Sequence, residues 1–113
     1  MSKEFSLAQW VDHFVVRYYQ EAFKSEPASP KLALAMSIPS RLTTNQPLTK
    51  RQTKLVVERM RRCLDALTNN VIPEYKKRLS GGLDEAQKPR YNSGKENAEA
   101  LAEWLRKQIR GLK

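Results

Sequence analysis

An all-α fold, a compact bundle of four to five helices built around a basic central helix, is what this sequence predicts. Three observations predict it. The capping-box spacing recurs at Ser6/Gln9, Thr49/Gln52 and Ser93/Glu96, where a hydroxyl and a carboxamide or carboxylate each satisfy an orphan N–H at a helix start. Apolar residues follow each box at helical intervals. No pair of alternating stretches exists to form a sheet: Leu32, Leu34 and Met36 alternate, but the alanines between them favour helix. At 113 residues and 40% hydrophobic content the chain fits one domain, residues 1–113, with one core.

The first helix is expected over residues 6–24, with Leu7, Trp10, Val11, Phe14, Val15 and Tyr18 on one face and Gln9, His13 and Arg17 on the other. Val16, Tyr19 and Phe23 widen the apolar arc beyond what one neighbouring helix covers. A second helix of the bundle is the ordinary cover; the alternative is a protein interface, for which Tyr19, Phe23 and Trp104 are the candidates. The turn Ser25–Lys31 ends this helix, and Ser29 with Pro30 opens a short one over KLALAMS, residues 31–37. Residues 38–48 read as an irregular segment fenced by Pro39 and Pro47. Arg41, Thr43 and Thr44 within it suit turn chemistry, with phosphate contact as the alternative.

The central helix runs from Thr49 to about Asn69–Asn70. Val56, Met60, Cys63, Leu64, Leu67 and Val71 share one face, while Lys50, Arg51, Lys54, Arg61 and Arg62 share the other with Glu58 and Asp65. Pro73 either kinks this helix or opens a new one that carries Lys76, Lys77 and Arg78. Ser80-Gly81-Gly82 supplies a stop. Residues 80–93 read as a flexible connection in which Lys88, Arg90 and Tyr91 interleave cations with one aromatic ring. The last helix opens at the Ser93/Glu96 box and buries Ala98, Leu101, Ala102, Leu105, Ile109 and Leu112.

The net charge is +9 and unevenly spread. Residues 49–78 hold nine Lys or Arg against three acids, whereas residues 1–48 hold five against four. Such an excess fits a polyanion, and the candidate phosphate contacts are Lys50, Arg51, Lys54, Arg61, Arg62, Lys76, Lys77, Arg78, Lys88 and Arg90. Nothing in the sequence assembles a catalytic set: His13 is the only histidine, Cys63 the only cysteine, and neither metal-ligand spacing nor a P-loop occurs. The chain is read as no enzyme, with no cofactor and no metal. A lone cysteine on a buried stripe and the lack of a long apolar run fit a cytoplasmic protein without a membrane span.

The stretch W-V-D-H-F-V-V-R-Y-Y-Q-E-A-F, Trp10 to Phe23, on a small basic all-helical chain resembles the helical small subunits of CRISPR effector complexes. The similarity is to the kind that corresponds to the C-terminal helical part of the large subunit. It implies a non-catalytic subunit of an antiviral ribonucleoprotein, stacked in several copies beside other subunits. Such a subunit holds the displaced DNA strand or the heteroduplex through sequence-independent phosphate contacts. The residues themselves leave two further readings open: a sequence-specific regulator placing Arg51 and Gln52 in a major groove, and a protein-interaction or assembly module.

Overall fold

A computed structural model of the chain describes residues 5–26 and 29–112. Pro27 and Ala28 of the expected turn, and Lys113, lie outside them. The fold is all-α, and the described residues contain four helices and no strand. Helix α1 covers residues 7–22, where α-helical Leu7–Trp10 and Arg17–Ala22 flank a π-helical stretch, Val11–Val16. Helix α2 is Pro30–Thr43. Helix α3 covers residues 50–80 as α-helical Lys50–Ala66, π-helical Leu67–Val71 and α-helical Ile72–Ser80, and helix α4 is Lys88–Leu112. The chain divides into two compact units, an N-terminal one ending at Arg59 and a C-terminal one over Met60–Leu112.

In the N-terminal unit α1 packs on α2. Ser6 caps α1 by accepting from the Gln9 N–H at 3.3 Å, and Ser29 with Pro30 opens α2 as expected. Val11, Val15, Ile38 and Val56 are fully buried here.

Helix α2 is longer than its sequence announces. Pro39 denies the helix one N–H, which is why residues 38–48 read as irregular; yet residues 38–43 are helical. Ile38, in the helix just before the proline, is 0% exposed, so burial of this side chain outweighs the steric preference against helix at that position. The end of α2 is then closed by its own polar residues. The Thr43 hydroxyl donates to Pro39 O at 2.8 Å, and the Thr44 hydroxyl to Ser40 O at 2.9 Å. Asn45 adopts φ 56°, so that its N–H reaches Leu42 O at 3.4 Å and the Gln46 N–H reaches Arg41 O at 2.8 Å. That pair of bonds is a Schellman stop, with Asn in the left-handed position usually held by Gly.

Helix α3 begins on the Thr49/Gln52 box. The Thr49 N–H donates to Gln52 Oε1 at 2.9 Å and the Gln52 N–H to Thr49 Oγ1 at 3.1 Å. Gln52 is 3% exposed, and its Nε2 donates to Ser37 Oγ on α2 at 2.7 Å, tying the two helices.

The C-terminal unit is a helical hairpin. Residues 72–80 pack on α4 in antiparallel order: Tyr75 meets Tyr91, while Ile72 and Lys76 share a groove with Ala102 and Glu103. Its buried residues include Met60, Leu67, Ala98, Ala102, Leu105 and Ile109. No break occurs at Asn69–Asn70. The backbone takes one π turn instead, and the Ile72 N–H reaches Leu67 O five residues back. The extra residue re-registers the apolar stripe. Val71, expected on the stripe, is 37% exposed, and Ile72 takes its place half-buried, followed by Tyr75 and Leu79. Pro73 sits just beyond this turn, where its missing N–H falls at the junction of π and α geometry.

Helix α3 stops at Ser80, where Gly81 and Gly82 follow and Gly82 takes φ +84°. The connection is residues 81–87 and not 80–93. Residues 88–93, expected in the loop, form the first turns of α4. The Ser93/Glu96 spacing therefore lies inside a helix. One backbone preference and one contact explain the earlier start. Pro89 has the fixed φ of a helical first turn, and Tyr91 docks on Tyr75, ring centroids 6.0 Å apart at 71°.

Candidate nucleic-acid interface

Helix α3 positions most of the cations that the sequence nominates, and each unit holds its own group. In the N-terminal unit Lys50, Arg51 and Lys54 project from the first turns of α3, all exposed. Arg51 and Lys54 join Lys31 of α2 and Glu58 around a groove of about 430 Å³ floored by Pro30, Leu34 and Leu55. Lys31 is the cation that sequence reasoning missed, because the helix-start signal at Ser29-Pro30 says nothing about which turn of α3 lies beside it.

Arg59 also escaped the sequence reading. It is half-buried, its guanidinium carbon lies 4.1 Å from the centroid of the Tyr18 ring, and its Nε is buried without a hydrogen-bond partner among the described residues. This is cation–π packing. The ring belongs to an aromatic row in which Tyr18 meets Tyr19 edge-on at 5.1 Å and Tyr19 stacks on Phe23 at 6.0 Å. Tyr19, a candidate interface residue, is 8% exposed and belongs to the core, and Phe23 is half-buried beside it. The extra apolar arc of α1 is thus covered within the chain. Trp104 of α4, the third interface candidate, is half-buried.

In the C-terminal unit Arg61, Arg62, Lys76 and Lys77 are exposed. The π turn that carries the apolar stripe from Leu67 to Ile72 also brings Lys77 round between Arg61 and Arg62 and moves Lys76 to the edge of that sector, beside Ile72. At ~1.5 Å per residue Arg61 and Lys76 are about 22 Å apart along the helix. They are not equivalent. Lys76 shares a groove of about 300 Å³ with Glu99, Glu103 and Arg106, so part of its field is met by carboxylates. Arg78 is exposed but tied along its helix: its Nε donates to Glu74 Oε1 at 2.9 Å and its Nη1 lies 3.5 Å from Tyr91 Oη. These hydrogen bonds, the Glu74 one foremost, raise its pKa above the ordinary arginine value. Lys88 is half-buried and pairs with Glu85 at 3.3 Å, whereas Arg90 is exposed beside the tyrosine pair. The structure therefore exposes Arg61, Arg62, Lys76 and Lys77 on this unit's long helix and sets Arg78 and Lys88 in local ion pairs.

Arg41 is half-buried and engaged with its own loop. Its Nη1 donates to Pro47 O at 2.9 Å and fastens the loop that follows α2. Gln52 is likewise committed inside the unit, which removes from the base-reading alternative the side chain best suited to an adenine edge.

Among the described residues no three His, Cys, Asp or Glu side chains gather as a metal site, and no helix is long and apolar enough to cross a membrane. His13 is exposed and sets its ring edge-on to Phe14 at 5.3 Å; Cys63 is half-buried and in no disulfide. No protein-family model, curated protein or solved structure matches the chain.

Proposed function

We propose that this chain is a non-catalytic subunit that binds nucleic acid through its phosphate backbone, without regard to sequence. The observation that carries the reading is the charge of α3. Nine Lys and Arg stand against three carboxylates over residues 50–80, and Lys50, Arg51, Lys54, Arg61, Arg62 and Lys77 are all exposed. Cations exposed along a helix neutralise phosphates and release their counterions, which gives affinity with no base preference. The similarity of residues 10–23 to small subunits of CRISPR effector complexes supports a role beside other subunits, or copies of itself, on a displaced strand or heteroduplex.

The test is equilibrium binding of unrelated DNA and RNA oligonucleotides by fluorescence anisotropy across a salt series. Affinity should be similar between sequences, and its logarithm should fall with log salt by about 0.7–0.9 per phosphate engaged. Arg61→Ala/Arg62→Ala, checked for helix content by circular dichroism, should lower that slope by about two. A folded protein that binds no polyanion at low salt overturns the proposal.

A further inference from the structure

The tyrosine pair of the C-terminal unit is an aromatic cluster beside exposed Arg78 and Arg90. Tyr75, on the last α-helical segment of α3, and Tyr91, on the first turns of α4, are both half-buried and meet edge-to-face. That geometry occupies one face of one ring, Gly94 of α4 lies close against the Tyr75 ring, and both rings line two clefts. One cleft, of about 410 Å³, is lined by Asn70, Val71, Glu74 and Arg78 together with the two rings. The other, of about 280 Å³, adds Gln87 and Arg90 to the same rings. The larger lies at the lower end of the size of small-ligand pockets, the scale of one planar heterocycle.

The contents of the larger cleft are specific. Val71 is one of two large apolar side chains exposed among the described residues, and it is exposed here because the π turn rotated it off the stripe. It supplies an apolar floor. Asn70 supplies a donor and an acceptor for a polar edge. Arg78 is paired with Glu74 in this cleft, and the exposed Arg90 of the other cleft supplies the cation beside the rings. An apolar and aromatic slot with one amide, next to an exposed arginine, complements a flat ring attached to an anionic chain. Gly94 keeps the slot in shape, since a Cβ there would stand 2.7 Å from Tyr75 Oη.

We propose that the Tyr75–Tyr91 pair is a nucleobase-stacking site, so that the chain selects single-stranded over double-stranded nucleic acid. The inference rests on the backbone-binding reading above and adds to it the form of the ligand. Bases of a duplex are stacked on one another and do not reach such a slot, whereas unpaired bases do, and stacking accepts any base. Arg90, which lines the second cleft, then takes a flanking phosphate.

The experiment compares fluorescein-labelled oligothymidylate with a duplex of mixed sequence on the wild-type chain, Tyr91→Leu, Tyr91→Phe and Arg61→Ala/Arg62→Ala. Tyr91→Leu should lose about 5- to 150-fold of affinity for the single strand, the range of one base–aromatic contact, and leave duplex binding unchanged. Tyr91→Phe, which keeps the ring and removes the hydroxyl near Arg78, should stay within about twofold. Because Tyr91→Leu also disturbs packing on Tyr75, a wild-type measurement stands beside it: ultraviolet crosslinking of a 5-iodouracil oligonucleotide should mark Tyr75 or Tyr91. Equal binding of single strand and duplex, with crosslinks elsewhere and loss only in the arginine variant, overturns the stacking site and leaves backbone binding standing. Failure of the wild-type chain to bind either polymer overturns both.

Discussion

Gln52→Met isolates the hydrogen bonds that join α2 to α3 in the N-terminal unit. Methionine has nearly the length and volume of glutamine, so packing is conserved and the loss falls on polar contacts. Two side-chain bonds disappear: the Thr49 N–H loses its acceptor at 2.9 Å, and Ser37 Oγ loses its donor at 2.7 Å. The third bond, from the Gln52 N–H to Thr49 Oγ1, is made by the backbone and survives. At roughly 1 kcal/mol per neutral bond the substitution should cost about 2 kcal/mol. For a chain of this length that lowers Tm by roughly 6–12 °C. Urea denaturation followed by far-ultraviolet circular dichroism measures it directly. Ser37→Ala alone should cost about 1 kcal/mol, and the double variant should show a coupling of roughly 0.5–1.5 kcal/mol, since both remove one shared bond. Gln52→Glu adds a finer check. Its carboxylate still accepts from Thr49, but the Ser37 hydroxyl already gives its proton to Leu34 O at 2.7 Å, so two acceptors would face each other. A Gln52→Met loss under about 0.5 kcal/mol, or strict additivity in the cycle, refutes the bridge.

Four further outcomes follow from the backbone. Gly82→Ala should destabilise by about 1–2 kcal/mol in urea titration, because φ +84° places a Cβ against the following carbonyl. Asn45→Val should cost a similar amount at the left-handed end of α2, whereas Asn45→Gly should be neutral or stabilising. Gly111→Ala, with nothing within 4 Å, should raise stability by roughly 0.5 kcal/mol from helix propensity near a frayed end. Gly94→Ala makes the same propensity gain but drives the Tyr75 ring aside, so it should change the near-ultraviolet tyrosine signal and weaken oligothymidylate binding, effects that Gly111→Ala lacks.

Where the sequence was legible, a local signal and a buried face agreed. The Thr49/Gln52 box, the Ser29-Pro30 start, the Gly81-Gly82 stop and the stripe of α4 through Ala98, Ala102, Leu105 and Ile109 stand as read. It misled where a tertiary contact outweighed a local preference. Ile38 is buried deeply enough to hold helix before Pro39, and Tyr91 docks on Tyr75 early enough to make helix of residues that read as loop. The cations of α3 were visible as charge, but their separate fates were not. Whether an arginine meets a carboxylate, as Arg78 meets Glu74, or a ring, as Arg59 meets Tyr18, depends on rotamers and neighbours that spacing alone leaves undetermined.

The π turn at Leu67–Val71 gives α3 an unusual tolerance to changes in length. Its apolar sequence steps from Leu67 to Ile72, a stride one residue too long for an α-helix, and the turn absorbs the surplus. Removing Asn70 would shorten that stride to four and put Met60, Leu67, Ile72, Tyr75 and Leu79 on one unbroken α-helical frame. In most helices such a deletion rotates everything downstream by about 100° and scrambles the hairpin. Here it subtracts the surplus and leaves Pro73 as the remaining obstacle, so Pro73→Ala should rescue the shortened chain. With Pro73 replaced, this helix can thus lose one residue at this place while its partner helix stays in register.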